Sequence, residues 1–183
     1  MHRDIKPDNL GIVGLVSPKA VIFDLDSATC DATSIDHFQG TLSYLAPEVV
    51  ALKTWKRDKE PLPPPYGRKV DVWALGISAY VIATGDRLEN RCMTDEVYQS
   101  IQQRLQGWIK GDGVEASFLK NVLRMLRWSA HERPSAAEAL EAFRGIDGAH
   151  GQNLGASTRT SRTKRQREVG SPSGLHCRAA PGK

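Results

Sequence analysis

The sequence predicts a mainly α domain with short β segments near its start, followed by a basic tail without regular structure. Three observations lead there. Residues 70–83 are apolar almost all round, through Val72, Trp73, Ala74, Leu75, Ile77, Tyr80, Val81 and Ile82, so a helix formed by them needs neighbours on every side. Three later segments repeat apolar residues at helical spacing. After Gly145 that periodicity stops, which divides the chain into a domain over 1–145 and a tail over 146–183.

Taken in order, Val21-Ile22-Phe23 is a β-rich run ending in Asp24-Leu25-Asp26, as a short strand entering a loop would. The polar stretch from there to about Ser43 reads as loop. Residues 53–69 are charged, then rich in proline (Pro61, Pro63, Pro64, Pro65). Prolines lack an amide donor and fix φ, so a stiff, extended surface connection is expected in preference to a docking motif. Beyond the apolar helix, residues 94–109 keep a helical period through Val97, Ile101, Leu105 and Trp108. Another helix fits 115–127, with Phe118, Leu119, Val122, Leu123 and Leu126 along one side. Ser135 is placed as an N-cap with Glu138 three residues on, ahead of Ala139, Leu140 and Phe143, the pattern of a capping box. These apolar stripes are read as core.

The tail holds only four Leu, Val or Ile residues (Ile146, Leu154, Val169, Leu175). It cannot bury enough surface to offset its ordering entropy and is predicted to be disordered. It also carries the basic charge. Seven Lys or Arg stand against Asp147 and Glu168 from residue 147 onward, a balance of +5 within a total of +4, so residues 1–146 sum to −1. With no aromatic interleaving in the tail, that distribution argues against nucleic acid as the primary partner. The run Arg159 to Arg167 could engage an import receptor, although basic tails of this kind are more often simply solvated. Cys30, Cys92 and Cys177 are an odd number at no metal-ligand spacing, which points to a reducing compartment. No apolar run approaches the roughly 20 residues of a membrane span, and no secretory signal opens the chain. An intracellular protein, cytoplasmic or nuclear and without a membrane partner, is expected.

The chemistry is concentrated in His2-Arg3-Asp4-Ile5-Lys6-Pro7-Asp8-Asn9. Phosphoryl transfer needs a carboxylate to orient the attacking hydroxyl, oxygen ligands for Mg²⁺ and positive charge beside the moving group. All are present within eight residues. The segment resembles the catalytic loop H-R-D-x-K-P-x-N of eukaryotic-type serine/threonine protein kinases. That resemblance implies a kinase-like C-lobe, a helical bundle with short β segments around this loop. It also implies transfer of the γ-phosphoryl group of ATP to Ser or Thr of a protein substrate, with ATP and Mg²⁺ as cofactors. Asp4 would be the catalytic base, Lys6 would neutralise charge on the γ-phosphate, and Asn9 would bind Mg²⁺. A lysine two residues after the aspartate is the serine/threonine form.

Further segments extend the resemblance. Asp24 stands as the Mg²⁺-binding Asp of D-F-G, with Leu25 for the Phe and Asp26 in place of the Gly. Gly40-Thr41-Leu42-Ser43-Tyr44-Leu45-Ala46-Pro47-Glu48 is similar to the end of the activation segment. By that likeness Thr41 would bond Asp4 and Lys6, and Glu48 would pair with Arg133 of His131-Glu132-Arg133-Pro134-Ser135. Asp71-Val72-Trp73-Ala74-Leu75-Gly76 resembles the start of the family's central helix. There Asp71 would hold the catalytic loop from beneath, with His2 as further structural support, and Gly76 would allow close packing. Arg3 would pair with a phosphate on the activation segment; among Thr29, Thr33 and Ser34 the last two are the better placed, Ser34 foremost, although such residues in a polar loop are more often unmodified. Gly85-Asp86-Arg87-Leu88 departs from the family's G-x-x-P-F.

The resemblance covers about residues 1–145 and the C-lobe alone. The 183 residues hold no G-x-G-x-x-G loop, no V-A-I-K lysine and no partner glutamate on a helix. The chain is therefore expected to be a kinase fragment, inactive by itself, with a raw apolar face where the helix leading into the loop would pack. The alternative, a non-catalytic binding or regulatory module, fits less well with an intact set of catalytic residues.

Overall fold

A computed structural model describes residues 1–56, 61–88 and 91–157, with 147–157 as backbone alone. In chain order its elements are β1 (Leu10–Val13), β2 (Lys19–Ile22), β3 (Thr33–Ser34), α1 (Pro47–Thr54), β4 (Tyr66–Gly67), α2 (Lys69–Thr84), α3 (Asp95–Trp108), α4 (Val114–Met125) and α5 (Ala136–Ser157). Short 3-10 turns at Pro7–Asn9 and Leu42–Tyr44 lie between them. The mainly α architecture with minor β structure is the one the sequence predicts.

The strands form two antiparallel pairs. β1 meets β2 with Leu10 opposite Ile22 and Val13 opposite Lys19. β3 meets β4 with Thr33 opposite Gly67 and Ser34 opposite Tyr66. The second pair falls in segments read as loop and extended connection, so both expectations are corrected there. Two residues per strand leave no periodicity to read. Within the connection, residues 57–60 lie outside the described part of the chain.

α2 occupies the centre. Val70, Val72, Trp73, Ala74, Gly76, Ile77, Ser78 and Tyr80 are buried along it. It packs on α4, where a Cβ at Gly76 would lie 2.9 Å from Leu126 Cδ2 and 3.2 Å from Met125 Cβ, so glycine sets the spacing of the two helices. Burial is not complete all round, as the sequence suggested it would be: Leu75 and Ile82 are exposed. Trp108, Phe118 and Leu140, read as core, also stand exposed at helix surfaces. Phe118 there meets Phe143, ring centroids 5.5 Å apart. Ile12, Leu15 and Val16 are exposed along the β1–β2 hairpin as well.

The helix starts follow their local chemistry. Thr94 caps α3 by accepting Val97 N–H at 3.4 Å. At α5 the capping box is complete: Ser135 N–H donates to Glu138 Oε2 at 2.7 Å, and Glu138 N–H donates to Ser135 Oγ at 3.2 Å. α5 continues to Ser157, so the tail expected to lack structure from 146 onward begins as helix. Once a helix is nucleated, each added residue gains a backbone hydrogen bond, which even weak helix formers can follow. Residues 158–183, and with them the import-signal run, lie outside the described part.

Arg133 locks the helices together. It is 1% exposed, and all five of its N–H donors have acceptors. Nη1 reaches Glu48 Oε1 and Lys69 O, both at 2.8 Å; Nη2 reaches Glu48 Oε2 at 3.1 Å and Trp128 O at 3.3 Å; Nε reaches Arg127 O at 3.2 Å. Its guanidinium also lies 5.0 Å from the Trp73 ring centroid. A buried ion pair is tolerable only when the remaining donors are satisfied in this way. Replacing Glu48 by Ala strands the cation, and urea unfolding should show a loss of about 3 kcal/mol, at the lower end for such pairs because Glu48 is partly open to water.

Candidate active site

The site forms where the N-terminal segment crosses the start of α2. Asp71, in the first turn of α2, accepts His2 N–H at Oδ2 and Arg3 N–H at Oδ1, both at 2.8 Å. These two hydrogen bonds to one carboxylate hold Arg3 at φ 71. A left-handed conformation costs a non-glycine residue about 1–3 kcal/mol and persists only where its surroundings impose it.

Three side chains converge on the next residue. Thr41 Oγ1 donates to Asp4 Oδ1 at 2.7 Å, Lys6 Nζ to Asp4 Oδ2 at 2.9 Å, and Asn9 Nδ2 to the same oxygen at 3.2 Å. Lys6 also donates to Thr41 Oγ1 at 2.9 Å, which closes a ring of three groups. Asn9, buried, is held by a further bond from Nδ2 to Asp4 O at 2.9 Å. Thr41 reaches the ring because Gly40 lets the chain pass tightly. Its φ is +88, and a Cβ there would lie 2.5 Å from Arg3 O.

The electrostatics follow from that ring. Burial pushes the Asp4 carboxyl up, but hydrogen bonds from Lys6 and Thr41 and the Lys6 charge outweigh it and hold it below its ordinary 3.8. The bond to Asp4 holds Lys6 above its ordinary 10.5 despite desolvation, with further help from the charges of Asp4, Asp8 and Asp24. Both groups are ionised at neutral pH.

Asp24 is placed through its neighbour. Phe23 N–H donates to Asn9 O at 2.9 Å, and Phe23 O accepts from His2 Nε2 at 3.0 Å. His2 Nδ1 accepts Asp4 N–H at 3.3 Å, so a single tautomer, protonated at Nε2, serves both contacts. Asp24 follows at φ 61, exposed, with no hydrogen bond to Asp4 or Asn9 among the described residues.

Arg3 meets a partner that sequence reasoning missed. Its Nη1 donates to Asp36 Oδ2 at 3.3 Å and its Nε to Ser27 O. Ser34, the candidate phosphate carrier, accepts Asp36 N–H on its Oγ at 3.0 Å. Thr33 lies in β3, and Thr29 Oγ1 donates to Asp31 Oδ2 at 2.9 Å. An isolated acid in a polar loop carries no pattern by which Asp36 could have been singled out.

Beside Thr41 a trough of about 390 Å³ is lined by Pro7, Asp8, Tyr44, Val81, Arg87 and Leu88. The 85–88 segment, which departs from the family pattern, forms one wall. Its Asp86 is held by Tyr80 Oη at 2.7 Å and Arg104 Nη1 at 2.8 Å.

Comparison with known proteins agrees with this geometry. The family model described as protein kinase domain matches residues 1–143. Serine/threonine-protein kinase cds1 of Schizosaccharomyces pombe is 31% identical over 148 residues, which are 76% of this chain and 30% of that kinase. Dual specificity mitogen-activated protein kinase kinase 7 of Homo sapiens is 31% identical over 128 residues, 67% of this chain and 29% of that protein. Aurora kinase C of Mus musculus is 30% identical over 142 residues, 77% of this chain and 46% of its own length. The chain thus spans less than half the length of each of these relatives.

Asp4 has a folded value depressed below its unfolded one, so its contribution to stability is full above pH 3.8 and is lost as pH falls through the folded value. Lys6→Met removes the main cause of that depression. Carboxyl-carbon NMR titration should show the Asp4 midpoint move upward in the variant; an unmoved midpoint would mean Lys6 does not set it.

Proposed function

The chain belongs to the protein kinase family, and from that premise we propose that it carries the phosphoryl-transfer half of a serine/threonine protein kinase. The observation that supports this best is the Asp4–Lys6–Thr41 ring, in which an ionised carboxylate is steadied behind Thr41, itself part of the wall of an open trough. A Ser or Thr hydroxyl of a protein substrate entering the trough is oriented by Asp4 toward the γ-phosphorus of ATP. The new P–O bond forms as the bond to the departing ADP breaks, and the hydroxyl proton passes to Asp4. A carboxylate this acidic is a weak base, so its main contribution is alignment, with the proton moving late. Lys6, charged throughout, offsets the negative charge of the transferring group.

Asn9 and Asp24 fit a Mg²⁺ role. Both Asn9 bonds use Nδ2, which leaves Oδ1 available, and Asp24 offers a carboxylate not tied to its neighbours in the loop. Among the described residues no cluster of three or more His, Cys, Asp or Glu could cage a metal. Mg²⁺ suits a sparse set, since it is usually held by one or two protein oxygens together with substrate phosphates. When bound, it supplies charge neutralisation on those phosphates.

Several finer points belong to the same proposal. The protein acts inside the cell, in cytoplasm or nucleus, on a protein substrate. Among the described residues no helix is long and apolar enough to cross a membrane. The sequence contains no G-x-G-x-x-G motif, so this chain alone should transfer no phosphate from Mg-ATP to a Ser/Thr protein above the Asp4→Asn blank. Joined behind a nucleotide-binding lobe of the family, it should phosphorylate Ser or Thr, and Asp4→Asn should lower that rate by about 10²- to 10⁴-fold. A joined protein that transfers nothing would overturn the catalytic reading in favour of a binding module.

A further inference from the structure

We propose that Asp36 is a built-in anionic partner for Arg3, a positioning residue that holds the activation segment in its working path without a phosphate. The guanidinium of Arg3 is the obvious receptor for an added phosphate, yet its place is already taken. Arg3 is 13% exposed at its side chain and Asp36 37%, and an ordinary surface pair of this kind contributes little. Asp36 differs because every polar group it has is fixed. Oδ2 accepts from Arg3 and Oδ1 from Phe38 N–H at 3.1 Å; its N–H donates to Ser34 Oγ, and its carbonyl accepts from Tyr66 Oη.

Those contacts connect core to chemistry. Tyr66 is buried at 3% exposure and pairs β4 to β3. Asp36 hangs from Tyr66, Arg3 from Asp36, and Asp4 follows Arg3 in the chain. A phosphate on Ser34 would bring about −2 charge beside the Asp36 carboxylate and remove the oxygen that accepts its N–H. It would compete with the existing arrangement rather than complete it. The consequence for phosphoryl transfer rests on the kinase reading above, whereas the positioning itself can be tested with no turnover.

The test is amide hydrogen exchange across residues 27–44 of the 183-residue chain, shown by intact mass to carry no phosphate. Protection from exchange is expected in this unmodified state. Asp36→Asn keeps the shape and an acceptor for Phe38 N–H but loses the charge, so a merely structural role would survive it. Exchange at 35–44 and at His2 to Ile5 should rise by about three- to tenfold, the scale of a partly exposed pair. Asp36→Glu should restore most of the protection. Should the Asn variant unfold, the wild-type Arg3 Nη1 hydrogens decide the matter, since Nη1 is the donor to Asp36: they should exchange slowly, and their rapid exchange would overturn the proposal. Wild-type amides that stay unprotected until Ser34 or Thr33 is phosphorylated would also sink it, as would an Asn variant that exchanges like the wild type.

Discussion

The whole candidate site in this chain hangs from one carboxylate. Asp71 takes the amides of His2 and Arg3 together, and the three residues that start there send out three arms. His2 turns to hold the Phe23 carbonyl and so places Asp24. Arg3, kept left-handed at φ 71, directs its guanidinium to Ser27 and Asp36. Asp4 enters the ring with Lys6 and Thr41. Neither amide has a helix or strand to pair with, so without Asp71 each would need water in a part-buried place.

The carboxylate can do this because its helix is held from several sides. α2 is held on its sides by Trp73 stacked near Tyr98 at 6.0 Å and edge-on to Trp128 at 6.3 Å. At its start Lys69 O is bound by Arg133, which grips Glu48 of α1 with the same guanidinium. One cation therefore fixes the base of the catalytic loop and the end of the activation segment relative to each other. That is a demanding use of a buried charge. Hydrophobic packing of similar volume could match it in stability, but packing would not set two backbone segments at a fixed register.

The sequence was legible where a rule acts over many residues or through a dense motif. The spans of α2, α3 and α4 follow from apolar spacing to within a residue or two, and the Ser135–Glu138 box is a local signal that folds locally. The cluster around Asp4 was found by resemblance in eight consecutive residues. Distant pairings carried by family motifs, Glu48 with Arg133 and Thr41 with Asp4, were found through the resemblance, but strand pairings set by distant contacts were not legible. β3 and β4 are two residues each and meet across about thirty residues of chain, and α1 is eight residues with apolar side chains all around it. Asp36 escaped for the same reason: its role lies in Arg3 and Tyr66, far from it in sequence. Leu75 and Ile82 show the opposite error, where an apolar pattern overstated burial. Periodicity reports which faces could be covered, not which ones are.

Asp26 shows how a departure from the family pattern can follow from the local backbone. Ala28 N–H donates to Leu25 O at 2.9 Å, so residues 25–28 form a tight turn with Asp26 inside it. Among the described residues only Arg3 and Asp24 are non-glycine with positive φ, so Asp26 adopts a conformation open to any L-residue. The turn seen here has no need of glycine. A rearranged loop with position 26 left-handed would cost an aspartate roughly 1–2 kcal/mol more than a glycine. The strain is placed one residue pair earlier, at Asp24, where φ 61 follows directly on the clamped Phe23. Glycine at 26 would widen the choice of loop states, and aspartate narrows it toward the arrangement in which Phe23 N–H is bound to Asn9 O. Together with an Arg3 already neutralised by Asp36, this biases the segment toward one ordered state through backbone geometry and fixed charge alone.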